Sequence, residues 1–461
     1  MAELDLRALL ASHAGEDLDL YAKGINPQFI RMLRTIGFDR TWARAEGAYI
    51  YDSEGRRYLD MNGGFGMFNV GRNNPRVRKV LADLLELDTP GSVQLGVSLL
   101  PGLLAQELIS RLPSSIQRCL FTSSGTEANE AALKLGRAAT GRERVVSTVK
   151  GFHGLTLGSL SANGGAEWTE RFGPLLPGFS QVPFNDLGAL EAELSREDVA
   201  LFLVEPVQGK GVNLPVDGYL KGAEELCRRY GTLFCVDEVQ TGFGRTGKMF
   251  ALEHWGLEPD LVTVAKSLSG GYVPVGACLM SAVVYDRVFD SMEHAVSHGS
   301  TFAPNDLGMA AGLATLRELD EQELVERSGR LGDLLVDLTA PLAERYDVVY
   351  EVRGLGLMWA IEFREPEQGS RAWRLLERTQ PGIFTQLVAV PLFSDHAILI
   401  QAAGHNMNVL KGVPPLTVSD EDIQNFASAL DQVLSRARKI PTAMLRFGLK
   451  AARAGRKRVP A

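Results

Sequence analysis

Thr232-Leu233-Phe234-Cys235-Val236-Asp237-Glu238-Val239-Gln240 is an apolar run that ends on two acids, and Leu261-Val262-Thr263-Val264-Ala265-Lys266 is a second run that ends on a base. Short continuous apolar runs bounded by turn signals read as strands buried on both faces of a parallel sheet. Similar runs lie at Arg118 to Ser123, Arg144 to Val149, Val199 to Val204 and Val275 to Met280, and between about 76 and 335 they alternate with helical stretches. That alternation is the βαβ signature. The expected fold class is therefore α/β, a large domain with a mostly parallel sheet flanked by helices, plus a smaller α+β domain. Residues 1 to about 45 read as amphipathic helix with Pro27 near a helix start, and Ala48 to Asp60 as a hairpin that turns at Asp52 to Gly55. The expected division is an N-terminal segment over 1–75 that joins the small domain and the substrate entrance. A large domain over 76–335, a small domain over 336–435 and a basic tail over 436–461 follow.

In open α/β sheets the ligand sits outside the carboxyl ends of the strands. A carboxylate at the end of so apolar a strand costs several kcal/mol to bury unless something pairs with it. A lysine in such a place is rarely buried unless paired or chemically employed. Asp237 and Lys266 together suit pyridoxal phosphate, whose pyridine nitrogen takes a carboxylate and whose aldehyde takes an amine. Ser124-Gly125-Thr126 opens a helix rich in Ala and Leu, where free N–H groups and the helix dipole favour a phosphate. By itself that segment reads equally as an ordinary cap. Phe152 and His153 stand between glycines after the next strand, where the ring either stacks on a flat cofactor or simply packs.

The composition excludes several classes. Hydrophobic residues make up 45% of the 461 and charged residues 23%, ordinary values for a globular chain. No run approaches the roughly 18 to 20 apolar residues of a membrane span. The start, Met1-Ala2-Glu3-Leu4-Asp5, lacks the basic and apolar regions of a secretory signal. Cys119, Cys227, Cys235 and Cys278 are scattered without a C-x-x-C pair, which predicts reduced thiols, no metal site and a cytoplasmic compartment. The net charge of −8 hides an asymmetry: from Arg436 onward there are nine basic residues and no acid, leaving 39 of the 48 basic residues against all 56 acids, a balance of −17. So acidic a body predicts no nucleic-acid partner.

The motifs in this order resemble the class III (ω-) aminotransferases, pyridoxal-phosphate enzymes of the type I fold, from about residue 45 to 430. S-G-T-E-A-N-E-A-A appears at Ser124 to Ala132, aromatic-His-Gly at Phe152 to Gly154 and V-E-P-V-Q-G at Val204 to Gly209. D-E-V-Q-T-G-F-G-R-T-G appears at Asp237 to Gly247, the A-K lysine at Lys266, H-G-S-T-F at His298 to Phe302 and V-R-G-x-G at Val352 to Gly356. The resemblance implies that Ser124, Gly125 and Thr126 hold the cofactor phosphate and that Phe152 stacks on the ring, with His153 beside it. It implies that Asp237 pairs the ring nitrogen, that Val239 and Gln240 line the ring, and that Glu205 lies near the cofactor. Lys266 would be the Schiff-base lysine and proton carrier. Thr301 would reach the phosphate of a second subunit, which makes a homodimer the expected unit. The implied reaction moves an amino group from an amine or amino-acid donor to an aldehyde or keto acceptor in two half-reactions, with ping-pong kinetics. A glutamate-semialdehyde-type aminomutase and a non-catalytic binding protein on the same fold are the competing readings.

Two departures bear on the substrate. Where relatives carry R-x-x-P-P-L the chain reads Lys411-Gly412-Val413-Pro414-Pro415-Leu416, and where they place an acid after V-E-P-x-Q-G it has Lys210. Two lysines do not form the ion pair expected of an arginine and an acid, and lysine lacks the planar fork that grips a carboxylate. The segment Met61 to Phe68 maps to the substrate entrance and carries no acid or base. Phe65 and Phe68 there either face an apolar, long-chain aldehyde or ketone or fill core. In the tail, Arg446, Lys450, Arg453 and Lys457 share one helical face, a pattern for peripheral contact with an anionic membrane or for a solvated tail.

Overall fold

The computed structural model describes residues 4–365 and 381–437. The basic tail beyond Ala437, and with it the membrane pattern read there, lies outside the described residues.

A seven-stranded sheet forms the centre, with strands in the order Arg118–Thr122, Gly276–Met280, Leu261–Val264, Leu233–Asp237, Val199–Val204, Arg144–Thr148, Phe179–Val182. Only Gly276–Met280 runs antiparallel to its neighbours. The three apolar runs in the middle are buried along their whole length, as expected of strands covered by helices on both faces. Phe179–Val182 has no counterpart among the apolar runs of the sequence. It is an edge strand with one fully buried residue, so it lacks the continuous apolar signal.

Residues 42–46 correct the reading of the first 45 residues as helix throughout. Helices do fill most of that segment, and Pro27–Ile36 begins at Pro27, with Asn26 accepting from the Phe29 N–H, and ends at Gly37 with φ 76°. Trp42–Glu46, however, is an exposed strand paired antiparallel with Tyr49–Asp52. Its residues alternate apolar with charged, but at the exposed edge neither face is buried strongly enough to mark it. The hairpin Tyr49–Asp52 and Arg57–Asp60 follows, and Arg57–Asp60 pairs in parallel with Ile398–Leu399. A further antiparallel sheet, Val349–Leu355, Met358–Phe363, Val409–Gly412 and Gln401–Ala403, forms the C-terminal layer. The helix Leu324–Thr339 packs on Val349–Leu355.

Arg245 ties the layers together. Its guanidinium is fully buried and donates to Leu357 O, Pro414 O and Asn69 Oδ1, with no carboxylate partner among the described residues. The four cysteines are free, and burial pushes their thiols up, to about 12 for Cys278. Among the described residues no helix is long and apolar enough to cross a membrane.

Candidate active site

Register brings the chemistry to one edge. Val204 pairs with Val236, and Asp237 with Thr263, across three adjacent parallel strands. Glu205, Asp237 and Lys266 therefore emerge from neighbouring strand ends at the same carboxyl edge. A cavity of about 840 Å³ opens there. It brings together Phe65, Ser124, Gly125, Thr126, Phe152, His153, Glu205, Lys210, Asp237, Val239, Gln240, Lys266 and Lys411, all named from the sequence.

Asp237 is buried, and its Oδ2 accepts from His153 Nδ1 at 2.8 Å and from Asn129 Nδ2 at 2.9 Å. Among the described residues its Oδ1 accepts only from the Val239 N–H, at 3.0 Å, which leaves acceptor capacity towards the cavity. Asn129 is in turn fixed by donating to His153 O at 2.7 Å and accepting from Thr263 Oγ1 at 2.8 Å. Sequence reasoning passed over Asn129, although it lies one helical turn beyond Gly125 and so on the same face of that helix.

Lys266 follows its strand with φ 45°, a left-handed conformation uncommon for a residue with a side chain. Its Nζ makes no hydrogen bond or ion pair among the described residues. Burial lowers its pKa, opposed by the nearby Asp237 and Glu205 carboxylates. Glu205 accepts from Phe152 N at 2.9 Å and Gly209 N at 2.8 Å, and burial raises its pKa. Across the cavity the helix Gly125–Thr140 starts at Ser124, whose hydroxyl accepts from the Glu127 N–H. The N–H groups of Gly125 and Thr126 have no partner among the described residues, and they sit at the positive end of that helix. A Cβ on Gly125 would lie 2.8 Å from Val239 Cγ1, so the close approach needs glycine.

Gln240 donates through Nε2 to Phe65 O at 2.8 Å and accepts from Lys411 Nζ at 2.7 Å. Lys411 is buried and also donates to Gly209 O. Burial and the neighbouring Lys266 pull its pKa down to about 7. Lys210 pairs with Glu167, and burial pulls its pKa down to about 8.

Phe65 and Phe68 part company. Phe65 is 59% exposed, has φ 60° and lines the cavity. Phe68 does not line it. Its ring packs beneath the Arg72 guanidinium at 4.1 Å and fills the space that a Cβ on Gly64 or Gly271 would need. Phe68 is half-buried. Thr301 lies outside its own chain's cavity, where its carbonyl accepts from Gln94 Nε2. Trp168 and Met407, which also line the cavity, belong to no motif that pointed to them.

An unpaired lysine, a half-satisfied buried carboxylate and unpartnered N–H groups at a helix start match the aldehyde, ring nitrogen and phosphate of pyridoxal phosphate. The fold and the site define a pyridoxal-phosphate enzyme of the type I kind. The family model described as aminotransferase class-III matches residues 36–434, and the chain belongs to that family, whose members use pyridoxal phosphate. It is 35% identical to the aminotransferase PigE of Serratia sp. over 91% of its own length and 53% of the relative's. It therefore spans about half of that protein. It is 36% identical to a putrescine aminotransferase of Pectobacterium atrosepticum over 91% of its own length and 89% of the relative's. Among solved structures, the ornithine aminotransferase of Toxoplasma gondii superposes with a TM-score of 0.80 at 27% identity, over 95% of this chain and all of the other. An amine transaminase from an uncultivated Pseudomonas species, with pyridoxal phosphate bound, gives 0.77 at 29% identity over 86% and 95%.

Two predictions arise here. Gly125→Ala should weaken cofactor binding by about tenfold to a hundredfold, because the added methyl forces Val239 aside in a packed site. Equilibrium dialysis against pyridoxal phosphate measures it. Lys411 makes stability depend on pH. Its pKa is about 7 in the folded chain against an ordinary 10.5, so between these values the unfolded chain binds one more proton and stability rises with pH. Lys411→Met removes a contribution of up to about 1.4 kcal/mol per pH unit in that window. The wild-type melting temperature should therefore gain on the variant's as pH goes from 7 to 10, and parallel curves would refute this.

Proposed function

We propose that this chain transfers an amino group from an amine donor to an apolar aldehyde or ketone, long-chain acceptors included, and that it works as a homodimer. The observation that carries the substrate reading is the state of the lysines. Three lysines line the cavity, and only Lys266 is unengaged, since Lys411 donates to Gly209 O and Gln240 and Lys210 pairs with Glu167. The walls beyond Lys266 include Phe65, Met67, Trp168, Val273 and Met407, which fit a hydrocarbon chain.

Pyridoxal phosphate supplies an aldehyde that condenses with amines and a ring that withdraws electrons from the carbon bearing nitrogen. Gly125 and Thr126, with free N–H groups, would hold the phosphate, Phe152 and Val239 would pack on the ring, and Asp237 would accept from the ring nitrogen. His153 and Asn129 keep Asp237 oriented. Lys266 Nζ takes the proton from the substrate's amine-bearing carbon and later returns one. Its lowered pKa suits both directions.

The dimer proposal rests on the surface around Thr301. Gln94 Nε2 donates to Thr301 O, and on the two segments so joined Leu95, Val97, Met292, Val296 and Phe302 are each at least 75% exposed, apolar surface of the kind that association covers. Light scattering of the wild type against Val97→Glu combined with Phe302→Glu tests it. Monomeric wild type would overturn it. The basic tail carries a separate proposal of peripheral membrane contact, which sedimentation with anionic vesicles of the full chain against one ending at Ser435 tests.

The substrate reading is tested by offering aliphatic aldehydes as acceptors, and putrescine, ornithine and 4-aminobutyrate as donors beside simple alkylamines. Higher kcat/KM for apolar partners is expected. A clear preference for the charged amines would overturn it and favour a diamine donor, the substrate in the name of the Pectobacterium relative.

A further inference from the structure

Behind the wall of the cavity lies a cluster that the mechanism does not use. Glu167, on the one-turn helix Ala166–Thr169, contacts Lys210 Nζ, and the same oxygen lies 2.8 Å from His405 Nδ1. His405 Nε2 faces Lys150 O at 3.3 Å, and Gly404 N donates to Lys210 O at 3.0 Å, so the cluster joins both layers of the molecule. The carboxylate is closely seated. A Cβ on Gly165 would lie 2.6 Å from Glu167 Oε2 and 2.8 Å from His405 Cε1. Lys210 and Trp168 line the cavity, whereas Glu167 and His405 do not. The Lys210 ammonium also lies 5.2 Å from the Trp168 ring, which packs edge-on against Phe152. The cation nearest the outer cavity is thus drawn back and neutralised within reach of the substrate path.

We propose that Glu167 is a specificity-determining residue, which engages Lys210 and so denies a substrate carboxylate the cation it would otherwise meet in the outer cavity. This rests on the reading of the chain as a transaminase of apolar substrates and names a residue that enforces it. A carboxylate entering the cavity has to compete with one already paired with Lys210. An alkyl chain has no such competitor. A diamine whose distal ammonium displaced Lys210 from Glu167 would reverse the role and make Glu167 a substrate ligand.

Three amines of matched length separate these cases: hexylamine, 6-aminohexanoate and 1,5-diaminopentane. For Glu167→Gln the ratio of kcat/KM for 6-aminohexanoate to that for hexylamine should rise about tenfold, the worth of one charge-assisted hydrogen bond. The change should fall in KM rather than kcat. Hexanoate, measured as a ligand by calorimetry on the holoenzyme, should bind correspondingly tighter. Glu167→Asp should keep the wild-type ratio, and adding Lys210→Met to Glu167→Gln should abolish the gain. If Glu167→Gln alters the fold, Lys210→Met alone supplies the converse, an about tenfold gain for 1,5-diaminopentane over hexylamine at the freed Glu167. Equal effects on all three amines, or a selective loss of the diamine in Glu167→Gln, would overturn the proposal. The wild-type preference among the three tests the substrate reading, and the change on substitution tests Glu167, so the two fail separately.

Discussion

Replacing Lys266 by alanine is expected to lower kcat on the order of ten-thousandfold or more while leaving the fold intact. Lys266 Nζ is the one unengaged amine on the cavity wall, and it stands next to two carboxylates at the sheet edge. On the proposed mechanism, removing it deletes both the nucleophile towards the cofactor aldehyde and the base at the substrate carbon. Groups that act together in this way cost nearly the whole enhancement when one is lost. Asp237, Asn129 and the helix start are untouched by the change, so the variant should still bind pyridoxal phosphate, noncovalently. Single-turnover kinetics with an amine, read beside the absorbance of the bound cofactor, separates loss of chemistry from loss of binding. Partial rescue by added methylamine would mark the missing group as the amine itself.

Asp237→Asn should be nearly as severe, on the order of a thousandfold in kcat. The asparagine oxygen has to take the place of Oδ2, where His153 Nδ1 and Asn129 Nδ2 both donate. Its NH₂ then occupies the place of Oδ1, facing the Val239 N–H and the cavity. A donor there meets one N–H and leaves the ring nitrogen without an acceptor. Loss of the charge also removes the reason for that nitrogen to stay protonated. The measurement is kcat together with cofactor affinity, with Asp237→Glu as the companion variant that keeps the charge. A variant within tenfold of wild type would show that Asp237 serves only to hold His153 and Asn129.

Much of this was legible in the sequence because it lies where local pattern and chemistry coincide. The buried strands announce themselves by uninterrupted apolar runs, and a charge at the end of such a run is costly enough to demand a partner. Asp237 and Lys266 stand out for that reason. Trp42–Glu46 and Phe179–Val182 escaped because edge strands lack that signal. The cluster behind the cavity wall escaped for a different reason. Glu167 and His405 lie far apart in sequence, on a short turn and on a loop between strands, and only the packing of the two layers brings them together. Phe65 and Phe68 show the limit most clearly. They are similar residues three positions apart, yet one ring packs between Arg72 and two glycines while the other is left facing the cavity.

The central claim is that one amine at the end of a buried strand carries the cofactor. Reduction of the purified holoenzyme with borohydride, followed by proteolysis and mass analysis of the peptides, tests it most directly. A phosphopyridoxyl group on Lys266 is the expected result. The same group on Lys210, Lys411 or another lysine, or a colourless protein that gains no adduct after incubation with pyridoxal phosphate, would contradict it.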